Sequence, residues 1–477
     1  MTRFVILVLD GLRPDLVTAE RMPNLAAFRD GAAVLTGSRA QFPSHTRVNK
    51  TSFATGTTPR HHGIHFNRLY DPAVWTDRFI DIGDHADVAA ADAATRLITA
   101  TPAGEAMAEA GKRLAVVHCG MSGAPWLLNY RGERFGQEHL SLAGYPHSTP
   151  ALAGLVRAAM GEMPDPKGVN LDRSAWALRA LTGPIWDGWA PDVAVLWSDE
   201  PDKSLHVDGI RGPVSATALA HCDAMVGDLV AWWRARQDVN LLIVSDHGHV
   251  EKSAQAPLAA AFAEAGFPVT TEPARPGAVL NIFGCGGLYL RDQPPESLFE
   301  IVRWMQAQPW CGSLFTAGTG GAEGHVPGTF STGLVTIDHP RAPDLIFATL
   351  RQDADDAWPF GHATEPGKPG GSTHGGAHPG ELRNTFFAAG PDFRQAHVSE
   401  MSGGLIDIFP TIFSRLGVEQ PLSMTGRPLG DLLAGGTAPA DAQPRVDRYE
   451  VSAGSYRQSL ELRRLARRSV IERGVRE

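Results

Sequence analysis

"FVILVLDG" (residues 4–11) carries six apolar residues straight into an acid and a glycine. An apolar run of about four to eight residues bounded by turn signals fits a strand buried on both faces. A secretory signal needs a longer apolar core and a small-residue cleavage site, and this run has neither. The run therefore reads as the first strand of a covered sheet. Four later stretches have the same form: "RLAVVHCG" (113–120), "DVAVLWSDE" (192–200), "NLLIVSDHG" (240–248) and "NTFFAAG" (384–390). Between them, "TPAGEAMAEAGK" (101–112) and "SATALAHCDAMVGDLVAWWRAR" (215–236) repeat apolar residues every three or four positions, the helical period. Strands alternating with helices predict an α/β fold with a mostly parallel central sheet flanked by helices.

Composition narrows the class. The chain has 477 residues, a formal charge of −9 and 43% hydrophobic residues, which excludes a disordered or fibrous protein. Mild acidity without a basic stripe argues against a nucleic-acid polymer as partner. No window approaches the ~18 consecutive apolar residues of a membrane span. A cytoplasmic protein without membrane association is expected. Cys119, Cys222, Cys285 and Cys311 lie far apart with no CxxC pattern. They read as free core thiols, and neither a disulfide framework nor a cysteine zinc site is expected.

The organisation expected is one catalytic domain over residues 1–435 with two insertions. Residues about 120–190 are rich in Gly, Pro, Trp and His without clean periodicity. Residues about 255–345 hold a helix ("PESLFEIVRWMQAQ"), short strands and the glycine-rich "TAGTGGAEGHVPGTF". Both read as a lid or cap over a site. "DIFPTIFSRLGV" reads as a helix, "GTAPADAQP" (436–444) as a linker, and the charged tail to residue 477 as an edge hairpin or a charged helix.

Polar residues gather where the strands end. Asp10 closes the first, "SDEPD" (198–202) the third and Asp246-His247 the fourth. In open α/β sheets ligands bind at the carboxyl ends of the strands. Asp202 and His206 stand four residues apart, and His374 sits in "GGSTHGGAH". Three carboxylates and three imidazoles form an N/O donor set suited to Zn²⁺ or a similar divalent ion. Such a set, with one hydroxyl, is large enough for two metals acting on phosphorus. Hydroxyls are available in "AQFPSHTRVNKTSFATG" (40–56), but no Ser-His-Asp spacing or GxSxG elbow surrounds them.

The ordered set "VLDG", "TGTTPRHHG" (55–63), "D...H" (202–206), "SDHG" (245–248) and "HGG" (374–376) resembles the alkaline phosphatase superfamily. The resemblance is nearest to its nucleotide pyrophosphatase/phosphodiesterase branch and to phosphonoacetate hydrolases, and it spans about residues 4–434. It implies an alkaline phosphatase-like core and a threonine nucleophile ten residues before the Gly of "TG". Thr46 holds that position relative to Gly56, with Ser44 and Thr51 as the alternatives. Asn67, twenty-one residues after Thr46, is then the donor to a phosphoryl oxygen. One metal falls to Asp10, Asp246, His247 and Thr46, and a second to Asp202, His206 and His374. His61 and His62 are read as stabilising a turn.

Departures from the family pattern narrow the chemistry. The sulfatase signature CxPxR is absent from residues 46–50. The lysines that hold a carboxylate in phosphonoacetate hydrolases are missing from "MSGAPWLL" (121–128). No arginine clamp of the monoesterase kind is identified, with Arg47 as a candidate. The expectation is hydrolysis of phosphodiester or pyrophosphate bonds through a phosphothreonine, with two divalent ions, Zn²⁺ ahead of Mn²⁺ or Fe. Phosphomonoester or phosphonate hydrolysis is the alternative, and a phosphomutase the more distant one. A small-molecule phosphoester is the expected partner, with a homodimer left open. Trp126, Trp176, Trp186 and Trp189 are weighed as stacking platforms and read instead as packing.

Overall fold

The computed structural model describes residues 2–165, 169–438, 443–465 and 468–477. Eight strands build the central sheet: β1 (Arg3–Leu9), β2 (Ala33–Leu35), β3 (Leu114–His118), β4 (Glu138–Ser141), β5 (Val193–Ser198), β6 (Val239–Val244), β7 (Phe386–Ala389) and β8 (His397–Ser399). Their order is β8-β2-β7-β6-β1-β5-β3-β4. Only the two pairings of β7 are antiparallel. The five apolar stretches thus occupy five neighbouring positions in a mostly parallel sheet.

Period-two alternation explains the layers on either side. Val5, Leu7 and Leu9 of β1 face one apolar cluster, which also holds Leu219, Cys222, Val226 and Leu229 of the long helix Pro213–Arg234. Phe4, Ile6 and Val8 face the other, with Phe53, Ile408, Phe409 and Ile412. The last three belong to the expected helix of "DIFPTIFSRLGV", observed as Ile408–Leu416 and closed by Gly417 in the left-handed conformation.

Residues 120–190, expected as a lid, are also built into the central sheet. They supply edge strand β4, which pairs in parallel with β3. Leu152, Val156, Trp176, Ile185 and Trp186 from this segment pack into the core of the central sheet. Their apolar residues lack a clean helical period because they cover a sheet edge through short helices and a kink at Gly183. Trp126 packs edge-to-face on Tyr130, and Trp189 packs against the same core cluster as Trp186.

The second segment forms a separate layer. Six strands within residues 269–349 make a mixed sheet. One face buries Leu280, Leu288, Leu314 and Phe347 under Phe262, Leu298, Ile301, Val302 and Met305 of two helices. The other face carries Phe315 and Phe330. That second face is covered by the tail, which is neither a helix nor a two-stranded hairpin. It forms a three-stranded antiparallel sheet, Arg445–Ala453, Tyr456–Leu465 and Arg468–Arg476. Leu460, Leu462 and Ile471 alternate inward onto Phe315 and Phe330. The Gln458 amide bonds Leu314 on both sides, accepting from its N–H and donating to its carbonyl at 3.0 Å each. Arg39 of the core pairs with Glu472 at 2.6 Å, both buried. Residues 439–442 of the expected linker lie outside the described residues.

Candidate active site

β6, β1 and β5 lie side by side and parallel, so the loops after them leave the sheet at one edge. The first delivers Asp246 and His247, the second Asp10, and the third Asp202. Asp202 opens a short helix, Asp202–Asp208, that brings His206 one turn further on. Gly11 makes the crowding possible. Its φ is +72°, and a Cβ there would stand 2.5 Å from His249 Nε2.

Thr46 comes from the neighbouring layer, as the first residue of helix Thr46–Thr55. Phe53 of that helix packs edge-to-face on Trp197 of β5, which fixes the helix over the sheet. Thr46 Oγ1 lies 3.1 Å from His247 Nε2. Of the alternative hydroxyls, Ser44 donates to the Gly376 carbonyl and Thr51 to the Arg47 carbonyl, each at 2.8 Å. Asn67 Oδ1 accepts from the Arg47 backbone N–H at 3.2 Å, which leaves its NH₂ as the donor group. His62 bonds Ser52 at 2.8 Å and accepts from the Ile64 N–H, a turn-stabilising role away from both ligand clusters.

Two clusters of metal-ligand groups meet here, Asp10 with Asp246 and His247, and Asp202 with His206, His249 and His374. The stacked rings of His247 and His374, 3.7 Å apart, place the clusters in contact. The hydrogen bonding tests whether cations fit. Asp246 Oδ1 accepts the N–H groups of Gly11 and His247, both at 3.1 Å, while Oδ2 is buried with no partner. Asp10 Oδ2 accepts from Lys50 at 3.1 Å and from the Trp197 indole at 2.9 Å, while Oδ1 has no donor among the described residues. Both orphaned oxygens lie 3.4 Å from His247 Nε2.

The histidine tautomers sharpen the point. A carbonyl only accepts, so Nδ1 must be the donor in three rings: His206 to Ser372 O (2.8 Å), His374 to Ser44 O (2.7 Å) and His247 to Gly248 O (3.1 Å). The Ser372 hydroxyl gives its proton to the Leu205 carbonyl at 2.8 Å, so its 3.0 Å contact with His249 also needs the proton on Nδ1. With Nδ1 committed, all four rings turn their remaining nitrogen, Nε2, toward carboxylate oxygen. For Asp202 Oδ1 the separations are 3.4 Å (His206), 2.9 Å (His249) and 3.5 Å (His374). Each such contact needs a positive charge between nitrogen and oxygen, either a proton on Nε2 or a metal ion. The backbone carbonyls behind the rings set orientation and tautomer as they do around bound metals. Acid–base behaviour agrees. Burial, then Asp10, pushes Asp246 up to about 7. His247 is held at about 9 by Asp246 and Asp10 against the effect of its burial. Such groups take up positive charge readily.

All seven residues expected to bind metal therefore converge. His249 was missed. It lies one residue beyond the "SDHG" signature, and the only signal was a second histidine in "SDHGH". His374 depends on a buried ion cluster behind its loop. Glu381 accepts from Gly376 N at 2.9 Å and pairs with Arg351 at 3.1 Å, while Glu365 pairs with Arg351 at 2.9 Å. Glu381→Ala is expected to destabilise the fold by about 3 kcal/mol, measured by denaturant unfolding, because Arg351 keeps only one of its buried carboxylates.

A mostly parallel α/β sheet with a hydroxyl at a helix start and two adjoining cation-ligand clusters at its carboxyl edge defines an enzyme core of the alkaline phosphatase type. The chain belongs to the type I phosphodiesterase / nucleotide pyrophosphatase family, whose profile matches residues 4–348. His374 lies beyond the matched span. Among solved structures, murine ectonucleotide pyrophosphatase / phosphodiesterase 5 superposes with a TM-score of 0.64 at 16% identity, covering 91% of this chain and 100% of that one. An inactive variant of that murine protein in complex with AMP gives 0.65 at 15% identity, with the same coverage. At these identities the superpositions establish the fold. Family membership makes the protein a hydrolase of the phosphodiesterase and pyrophosphatase class.

Proposed function

We propose that the protein cleaves phosphodiester or pyrophosphate bonds of a small molecule through a covalent phosphothreonine on Thr46. The observation that carries this is the position of Thr46 Oγ1, 3.1 Å from His247 and at the start of a helix. A helix N-terminus favours the phosphoryl charge. Asp10, Asp246, His247 and Thr46 would hold one divalent ion, and Asp202, His206, His249 and His374 the other. When bound, the ions neutralise phosphoryl charge and lower the pKa of the threonine hydroxyl and of water. Thr46 Oγ forms the bond to phosphorus as the bond to the leaving oxygen breaks, and the Asn67 NH₂ donates to a phosphoryl oxygen as its charge grows. Water then displaces Thr46 from phosphorus. Lys50, bonded to Asp10, keeps that carboxylate ionised and oriented.

Zinc is the ion we favour for this N/O donor set, ahead of manganese or iron. Four buried, unpaired cysteines fit a reducing compartment such as the cytoplasm. Among the described residues no helix is long and apolar enough to cross a membrane. A homodimer is a further proposal, tested by light scattering.

Monoester hydrolysis is the second reading, favoured by one observation: Arg47 lines the cavity beside Thr46. The kcat/KM ratio of bis-p-nitrophenyl phosphate over p-nitrophenyl phosphate decides between them at one pH and one metal concentration. A ratio above one is expected, because a neutral Asn67 gains less from a dianion than a full clamp does. A ratio well below one makes the monoesterase reading correct and Arg47 the clamp.

A further inference from the structure

The cavity at Thr46 has a volume of about 420 Å³, the size of a small-molecule site. Among the described residues that line it, none is Trp, Tyr or Phe. It offers no broad stacking surface for a base, and the four tryptophans of residues 120–190 do not line it.

Its charges are unevenly matched. Among the described residues, four cations line it: Arg47, Lys50, Arg173 and Lys203. The acids are Asp10 and Asp202, which belong to the ligand clusters, and Asp199. Lys50 is bonded to Asp10, and Lys203 stands 3.7 Å from Asp199. Asp199 also accepts from the Asn170 amide at 2.9 Å. Arg173 is only 5% exposed, yet its Nε has no hydrogen-bond partner among the described residues. His118, at the end of β3, is in the same condition. Its Nδ1 accepts from the Gly120 N–H at 2.9 Å, so the proton is on Nε2, which is buried without an acceptor. Burial, then Lys50, keeps this ring neutral by holding its pKa well below the usual value. With Arg47 Nε, three buried donors without a partner among the described residues border this cavity, against one such acceptor outside the ligand clusters, Asp199 Oδ1. Leaving buried donors unmatched is costly, and the surplus calls for an acceptor from outside the chain.

We propose that this cavity receives a second anionic group of the substrate, a carboxylate or a phosphate remote from the scissile phosphorus, with Arg173 as its main partner and His118 Nε2–H as a further donor. The proposal rests on the phosphoester reading above. It makes the substrate a compact phosphoester charged at both ends and not one recognised through a base. The guanidinium fork suits either oxyanion.

The test is calorimetric binding to the full-length, zinc-supplemented protein, so that no turnover is needed. The probes are ethyl phosphate, 2-carboxyethyl phosphate and ethylene glycol bisphosphate, which differ only in the group at the far end, together with AMP. At least one charged-arm probe should bind tenfold or more tighter than ethyl phosphate, and the tighter of the two identifies the oxyanion. Arg173→Met should reduce that ratio to below threefold. Should Arg173→Met fail to fold, Arg173→Lys should still cut the ratio at least threefold, and an unchanged ratio would overturn the proposal. Equal binding of all three alkyl probes, or AMP binding tighter than both charged ones, would overturn it while leaving the phosphoester reading intact. Failure of every probe to bind would overturn both.

Discussion

Thr46→Ala is expected to lower kcat for bis-p-nitrophenyl phosphate by about 10⁴-fold or more, the scale on which loss of a hydroxyl nucleophile acts. The fold should survive. The Thr46 hydroxyl has one close partner, His247 Nε2, so its removal should change unfolding free energy by about 1 kcal/mol at most. Metal content should also persist, because Asp10, Asp246 and His247 keep their ligand atoms. Thr46→Ser should retain measurable turnover. Rapid acid quenching of the wild type should trap a phosphorylated peptide that contains Thr46. Near-native turnover by purified Thr46→Ala would remove the threonine from the reaction.

The second large effect concerns the cations. Elemental analysis should find about two divalent ions per chain, and exhaustive dialysis against EDTA should remove both metal and activity. Asp246→Asn and His374→Ala should each reduce metal content, one from each cluster. His249→Ala should weaken metal affinity by about 10–100-fold if the ring only orients Asp202, and by more if it is itself a ligand. Full activity in protein shown to contain no metal would end the two-metal reading. Unchanged affinity in His249→Ala would return the second cluster to Asp202, His206 and His374.

The parts of the fold readable from sequence are those where burial is complete. β1, β5 and β6 are covered on both faces, so they appear as unbroken apolar runs. β4 reads "EHLS" and β8 "HVS", short edge segments with too few apolar residues to signal anything. In the cap, "GGLYLRD" reads as a strand and lies largely in the observed strand Cys285–Tyr289. "GLVTID" also reads as a strand but opens in a short turn, Thr332–Val335, and Cys311–Thr316, with a glycine after its first residue, gives no strand pattern. The tail alternates charged and apolar residues, a pattern that left a hairpin and a charged helix open. Its third strand was not legible, because that depends on contacts with Phe315 and Phe330 more than a hundred residues earlier. The same division holds at the site. Asp10, Asp246 and His247 announce themselves by following strands, whereas Arg173 and His118 acquire meaning only when three distant segments enclose one cavity.

The C-terminal sheet bears on biosynthesis. It follows in chain order everything that it covers, since Leu460, Leu462 and Ile471 close over a face formed by Phe315 and Phe330. During translation that face emerges long before its cover. A nascent chain halted near residue 444 would have its central sheet and ligand loops complete but an open apolar wall on the cap. Such walls recruit chaperones or other nascent chains. The ion pair of Arg39 with Glu472 joins residues 433 positions apart, so it forms only after the second of them has appeared. Closure of that wall therefore waits until residues 445–476 have left the ribosome, and an intermediate lacking them should be more prone to aggregate than the chain that contains them.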